Sequence, residues 1–311
     1  MTQIDQAWGS GPSSRYEDLA EPFRPLFRSI KDTAVARDLE RRLPYDEIKA
    51  LRAAGFTTVR VPDEFGGAGA TLPELFNLLI ELSEADSNVT NSLRSHFGFT
   101  EDVLNSADPK RRELWLRRIG EKTLFGNGHS EVGDNKLQAF STTVSSKDGQ
   151  LVLNGRKYYT TGTLFADWIN IAAQHENGEP VGVVVSRHSP GVEVLDDWDG
   201  FGQALTASGT TIFKDVPVEG NQVIPVTARF KYSNPFYQLV HLATLAGIGR
   251  AAANDVAHLV KQRTRVFSHG NADRVAADPQ ILQVVGRVRG NAYAAGAIVL
   301  KVAEALQRAH E

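Results

Sequence analysis

From Tyr16 to about Arg118 the apolar residues recur at helical spacing. Between Pro44 and Ala54, Ile48 and Leu51 share a face, and Gly55 follows where a helix would close. The run Val59 to Gly67 reads as an extended turn. Leu72, Leu75, Leu78, Leu79 and Leu82 then predict a strongly amphipathic helix. A further helix is predicted after Asp86-Ser87-Asn88, with Val89, Leu93, His96 and Phe97 on one face, and Asp108-Pro109 opens a charged one. Near Thr123 the period shifts from helical to alternating. Strands are predicted at Phe140–Val144, Gln150–Leu153, Trp168–Ala173, Val181–Val185, Gly191–Val194 and Thr210–Phe213, with His175–Pro180 as a hairpin connection. After Pro217 the chain leaves the strands. Ala243–Val260, rich in small residues, and Ile281–Leu306 predict two long helices.

This pattern is α+β: an N-terminal α-helical domain over residues 1–122, a middle β-barrel-like domain over 123–220, and a C-terminal helical bundle over 221–311. Antiparallel bundles normally need about four helices to enclose a core. The C-terminal part therefore reads as short and incomplete, or as completed by oligomerisation.

Composition removes several function classes. A net charge of -3 with scattered Lys and Arg offers no basic stripe to a nucleic acid. The absence of cysteine removes disulfides, thiolate nucleophiles and thiolate metal sites. No apolar run is long enough to span a membrane, and Met1–Gly11 lacks the order of a signal peptide, so a cytoplasmic protein is expected. No histidine pair at i, i+4 and no His–carboxylate cluster suggests a metal site.

Two polar stretches carry the candidate chemistry. Gly126-Asn-Gly-His-Ser-Glu-Val-Gly133 supplies glycines, backbone amides and the Ser130 hydroxyl, with little charge. Taken alone, a strand-to-loop turn explains its glycines better. Asn154-Gly155 is a hairpin-turn signal, and Lys157-Tyr-Tyr-Thr-Thr-Gly162 follows it. In a strand Thr160 and Thr161 would face opposite sides, one to a ligand and one to substrate or core. Strand propensity alone also favours Tyr and Thr. Both stretches in one β unit turn the reading toward a shared site for a planar, hydrogen-bonding ligand such as a flavin ring.

His96 sits on the apolar side of its helix, where an imidazole needs a hydrogen bond to be buried. It serves either as a structural core residue or as an acid–base group near a cofactor. His129 is either a polar contact or solvent-facing. Arg263 and Arg265 suit a phosphate, or are ordinary exposed arginines at a helix end. Trp198–Gln203 with Thr206–Gly209 forms a Gly/aromatic loop that closes over a flat ligand or simply joins strands.

With these residues in place, nearly the whole chain resembles the acyl-CoA dehydrogenase superfamily. Phe56–Gly69 is similar to its Pro-x-x-aromatic-Gly-Gly run, Gly128-His-Ser-Glu131 to its Thr-Glu-Pro flavin loop, and Lys157–Thr161 to its Lys-x-Trp-Ile-Thr. Val132 replaces the proline, Tyr159 the tryptophan, and Gly162 the residue after the threonine. These departures, with Arg94-Ser-His-Phe97, Phe125-Gly-Asn-Gly128, Tyr159–Thr163 and Phe201–Gly209, resemble the family's flavin-dependent monooxygenase branch. Ala204 stands where that branch often has arginine.

The resemblance implies a two-component monooxygenase. A separate flavin reductase would supply reduced flavin, FMN before FAD, and O2 would form a hydroperoxyflavin that oxygenates an apolar, sulfur- or nitrogen-containing small molecule. It implies His96 and Thr160 as catalytic, Asn127, Gly128, Ser130 and Thr161 around the isoalloxazine, and Arg263 or Arg265 at flavin phosphate across a subunit interface in a homotetramer or dimer. An acyl-CoA dehydrogenase is the alternative. One of that family's positions for its carboxylate base falls near Gln238, which is no base, and the other lies beyond Glu311. A non-catalytic flavin-fold remnant or subunit is the third reading, suggested by the short C-terminus.

Overall fold

The computed structural model describes residues 8–132, 140–225 and 229–311. Six helices come first: α1 Tyr16–Ala20, α2 Arg24–Leu39, α3 Tyr45–Ala53, α4 Leu72–Ala85, α5 Ser87–Leu104 and α6 Pro109–Gly120. Eight strands follow: β1 Phe125–Gly128, β2 Thr143–Lys147, β3 Gln150–Lys157, β4 Trp168–His175, β5 Pro180–Ser186, β6 Val192–Val194, β7 Thr211–Val218 and β8 Val223–Pro225. Two long helices, α7 Ser233–Gln262 and α8 Pro279–His310, complete the order.

Helix starts follow local chemistry. Asp86 accepts from the Asn88 amide at the head of α5, and Asp108 accepts from the Lys110 and Arg111 amides at the head of α6. Thr71 and Glu74 form a reciprocal capping box on α4. Gly55 closes α3 with φ +84°, as its position predicts. The expected turn after Val59 contains a single 3-10 turn at Asp63–Phe65.

Two expectations about the strands need correction. The sheet is not a closed barrel. Its order is β6-β7-β3-β2-β4-β5-β8 with β1 parallel to β4, and the three-residue strands β6 and β8 end the path without pairing to each other. Asn154-Gly155 is not a hairpin turn. The β2–β3 hairpin turns at Asp148-Gly149, where both residues have positive φ, as a two-residue loop requires. Asn154 and Gly155 lie inside β3, where the register against β7 shifts. Asn154 clamps Asp215 of β7 through two hydrogen bonds, and a Cβ on Gly155 would lie 2.5 Å from Thr142.

The terminal helices share one core rather than packing separately. Leu75, Phe76 and Leu79 of α4 join Phe236, Leu239, Val240 and Ala243 of α7 and Val299 and Ala303 of α8. A second cluster lines the sheet with Val144, Leu153, Ile169, Ile171, Val183, Val185 and Phe213. A third joins sheet to helices, with Phe99 of α5 stacked on Phe125 of β1 at 4.1 Å between ring centroids. That stack sets α5 across the end of β1, where the polar stretch begins. No helix among the described residues is long and apolar enough to cross a membrane, and no group of three or more His, Cys, Asp or Glu is placed to hold a metal ion.

Candidate active site

The end of β1 and the segment after β3 lie side by side. The Asn127 amide donates to Thr163 Oγ1 at 3.1 Å, and that hydroxyl donates back to the Asn127 carbonyl at 3.0 Å. The Tyr158 amide donates to the Ser130 carbonyl. Gly128 packs on the Lys157 side chain. Lys157, fully buried, reaches Glu131 Oε1 at 2.6 Å, and Glu131 also accepts from the Ser141 and Thr142 amides. This ion pair fixes the backbone that presents His129 and Ser130. Gly133, the last residue of that stretch, lies outside the described residues.

Thr160 and Thr161 do not alternate across a strand. β3 ends at Lys157, Tyr159 takes φ +61° and Gly162 φ +80°, so both threonines turn inward together. Thr160 Oγ1 donates to the Gly209 carbonyl at 2.8 Å and accepts from Thr211 Oγ1 at 2.9 Å. Its hydroxyl is thereby committed to protein partners. Thr161 Oγ1 pairs with Ser208 Oγ at 2.7 Å, and Ser208 pairs with Thr206. The Gly/aromatic loop predicted at Trp198–Gln203 with Thr206–Gly209 thus backs the threonines, and Trp198 lies edge-on to Tyr159 at 5.7 Å.

His96 is 1% exposed on α5, between Phe97 and Phe125. Its Nε2 lies 2.7 Å from the Thr57 carbonyl, which can only accept, so Nε2 carries the proton and Nδ1 holds a lone pair. Nδ1 is buried and has no partner in the structure. Burial pushes its pKa down to about 4. The ring is therefore neutral at physiological pH.

A stability prediction follows from that burial. Unfolded chain takes up the proton near pH 6.5, whereas folded protein resists it to about pH 4. The stability His96 contributes as a neutral ring is complete above about pH 6.5 and lost as pH falls toward 4, by about 2 to 3 kcal/mol. Urea denaturation at pH 7.5 and 4.5 should show that much more acid loss for wild type than for His96→Asn. Equal losses would place the imidazole in water.

Sequence reasoning passed over a second face of α5, the one packed against α7. Positions 91, 94, 95, 98 and 102 share one face of α5, and Gly98 and Arg94 on it meet Tyr237 and His241 of α7. Arg94 Nη1 bonds His241 Nε2. A Cβ on Gly98 would lie 2.2 Å from the Tyr237 hydroxyl. Burial pushes Tyr237 up to about 12 and His241 down, so both stay neutral. Asn91 Oδ1, Ser95 Oγ and Asn127 Oδ1 are buried without partners. The spacing on α5 was visible, but its partner face on α7 was not, because about 140 residues separate the two helices.

Arg263 and Arg265 lie apart from this assembly. Arg263 caps the far end of α7, with its guanidinium 5.5 Å from the Phe267 ring and its Nε toward the Arg265 carbonyl. From His241 to Arg263 the helix runs about 33 Å at 1.5 Å per residue. The other candidates, His96, Asn127, Gly128, Ser130, Thr160 and Thr161, converge where α5 crosses β1: Gly162 packs on the Ser92 carbonyl, one turn before His96.

Fold and sequence place this assembly in a defined class: the chain belongs to the acyl-CoA dehydrogenase family, with residues 17–123 matching its N-terminal domain and 128–216 its middle domain. Among particular relatives, dibenzothiophene monooxygenase of Mycolicibacterium goodii is 27% identical, over 99% of this chain and 78% of that protein. The probable FMNH2-dependent monooxygenase SfnC of Pseudomonas putida is 26% identical, over 85% of this chain and 67% of its own length. The crystal structure of FMN-bound TdsC from Paenibacillus sp. A11-2 has a TM-score of 0.86 at 26% identity, covering 96% of this chain and 78% of that one. TdsC has also been solved with FMN and indole together.

Proposed function

We propose that this chain is a two-component, reduced-flavin-dependent monooxygenase that takes FMN in preference to FAD. Its substrate is a small molecule with an apolar body and an oxidisable sulfur or nitrogen. A separate reductase supplies the reduced flavin. The domains are 1–122, 123–220 and 221–311. The observation that carries the reading is the polar seam between β1 and the Thr160–Gly162 turn, with a neutral, buried His96 on the helix packed against it. Similarity to relatives named as monooxygenases supports it.

The seam suits a flavin ring. Asn127 Oδ1 and His96 Nδ1 are buried acceptors without partners among the described residues, the hydroxyls of Ser130 and Thr161 stand beside them, and Glu131 is held by Lys157. When bound, reduced flavin would activate O2 for oxygen transfer. The chain's own residues bind, orient and exclude water. Ser130 and Thr161 hydrogen-bond the ring edge, Thr160 locks the turn to Gly209, and His96 Nδ1 accepts one hydrogen bond near the reacting atoms. Arg263 and Arg265, too distant to serve their own seam, meet the phosphate bound by a neighbouring copy in an oligomer.

Acyl-CoA dehydrogenation is disfavoured because one of the two positions for its carboxylate falls near Gln238, an exposed amide on α7. Anaerobic titration with reduced FMN, followed by turnover with a generic flavin reductase over a panel of sulfides, sulfones and indoles, tests the reading. Saturable binding and an oxygenated product are expected. Tight FAD bleached by an acyl-CoA would establish the dehydrogenase instead. Thr161→Val should weaken reduced FMN by about 1 kcal/mol, roughly fivefold in Kd, for one lost hydrogen bond. An unchanged titration would remove Thr161 from the ring edge.

A further inference from the structure

Two interior arginines of this protein are neutralised by carboxylates, and a partly buried one on α5 is not. Arg37 meets Glu47 at 2.6 Å and Asp86 at 2.7 Å, and Arg60 meets Glu101 at 2.7 Å. Arg94 is partly buried on α5, and its hydrogen-bond partner among the described residues is the neutral imidazole of His241. No carboxylate among the described residues pairs with it. A guanidinium removed from water without a counter-anion costs stability, and such a group persists where a ligand supplies the charge.

The surroundings are built for that ligand. His241 accepts from Arg94 through Nε2, which leaves its proton on Nδ1 and holds the guanidinium plane in place. Arg94 Nε is buried and unpartnered, and so is the hydroxyl of Ser95, which is 3% exposed on the same face of the helix. Gly98 leaves room for the Tyr237 phenol directly over α5, which makes one wall flat and aromatic.

We propose that Arg94, with Ser95, forms an oxyanion-recognising subsite, so that the substrate carries a single sulfinate, sulfonate or carboxylate on its apolar body. This deepens the reading given above and rests on it only in taking the α5–α7 contact as the substrate side of the site. The fork of Arg94 receives the two oxygens of the anion, Ser95 Oγ donates a further bond, and Tyr237 packs on the apolar body. Arg94 is a specificity-determining residue here and takes no part in oxygen transfer.

Calorimetric titration of the flavin-free protein tests this, using benzenesulfinate against methyl phenyl sulfone, a neutral molecule of similar shape. Wild type should bind the sulfinate at least tenfold more tightly. Arg94→Gln should erase that preference, and Arg94→Lys should restore part of it. Reduced FMN, titrated separately, should bind wild type and Arg94→Gln alike. Equal affinity for the two probes in wild type, no measurable sulfinate binding, or a preference that survives Arg94→Gln would overturn the proposal. Arg94→Gln that weakens reduced FMN but spares the sulfinate would assign the guanidinium to the cofactor and overturn it too. Failure of wild type to bind reduced FMN, with the sulfinate preference intact, would sink the monooxygenase reading and leave the subsite standing.

Discussion

Gly162→Ala should lower stability by about 3 kcal/mol and abolish measurable reduced-flavin binding. Gly162 has φ +80°, where an alanine costs about 1 kcal/mol or more. Its missing Cβ would also lie 2.1 Å from the Ser92 carbonyl, backbone of α5 that cannot swing aside as a side-chain tip does. Relief requires the turn to retreat from α5, and that retreat pulls Thr161 from Ser208 and Thr160 from Gly209. Gly202→Ala provides the comparison, since it has φ +73° but nothing within 4 Å of the added carbon. It should cost only the backbone strain, about 1 kcal/mol. Urea denaturation and FMN titration of both variants check the argument. If the two lose equal stability, the contact with Ser92 is not rigid.

The helices were legible because their signals are local. Asp86 and Asp108 cap, Gly55 stops, and leucines at helical spacing mark the buried face of α4. Six strands were legible from alternation in the same way, but β1 and β8 are too short to show it, and β8 returns the chain to the sheet after Pro217, where no strand was expected. What failed depended on residues far apart in sequence. Asn154-Gly155 has the composition of a hairpin turn, yet Asp215 and Thr142 make it a bulge inside β3. Thr160 and Thr161 were placed by strand periodicity, but the positive φ of Tyr159 ends the strand two residues too early for that rule. Sheet closure depends on edge strands meeting, which no single segment encodes. At the site, the seam of Asn127, Ser130 and Thr161 was visible as two polar stretches in one β unit. The Arg94–His241 contact was not, because each half looks ordinary until α5 and α7 are packed together.

That packing rests on a second polar network, and breaking it should be at least as costly. Glu101 of α5, fully buried, accepts from Arg60 Nε at 2.7 Å and from the Tyr232 hydroxyl at 2.6 Å. Asn105 and His310 also reach Tyr232, so the start of α7 and the end of α8 are tied to α5 at one point. Glu101→Ala removes the anion and leaves Arg60, 6% exposed, with a buried charge and only the Ala70 carbonyl from its former set. A loss of about 3 to 5 kcal/mol is expected. The attraction between two buried charges is largely offset by the cost of desolvating both. Replacing the whole pair, Arg60→Met with Glu101→Leu, should therefore recover at least half of that loss. Chemical denaturation of the three proteins at pH 7.5 decides it. A Glu101→Ala variant within about 1 kcal/mol of wild type would mean that water reaches Arg60, and a double variant no better than the single would mean that Tyr232, not the charge, needs Glu101.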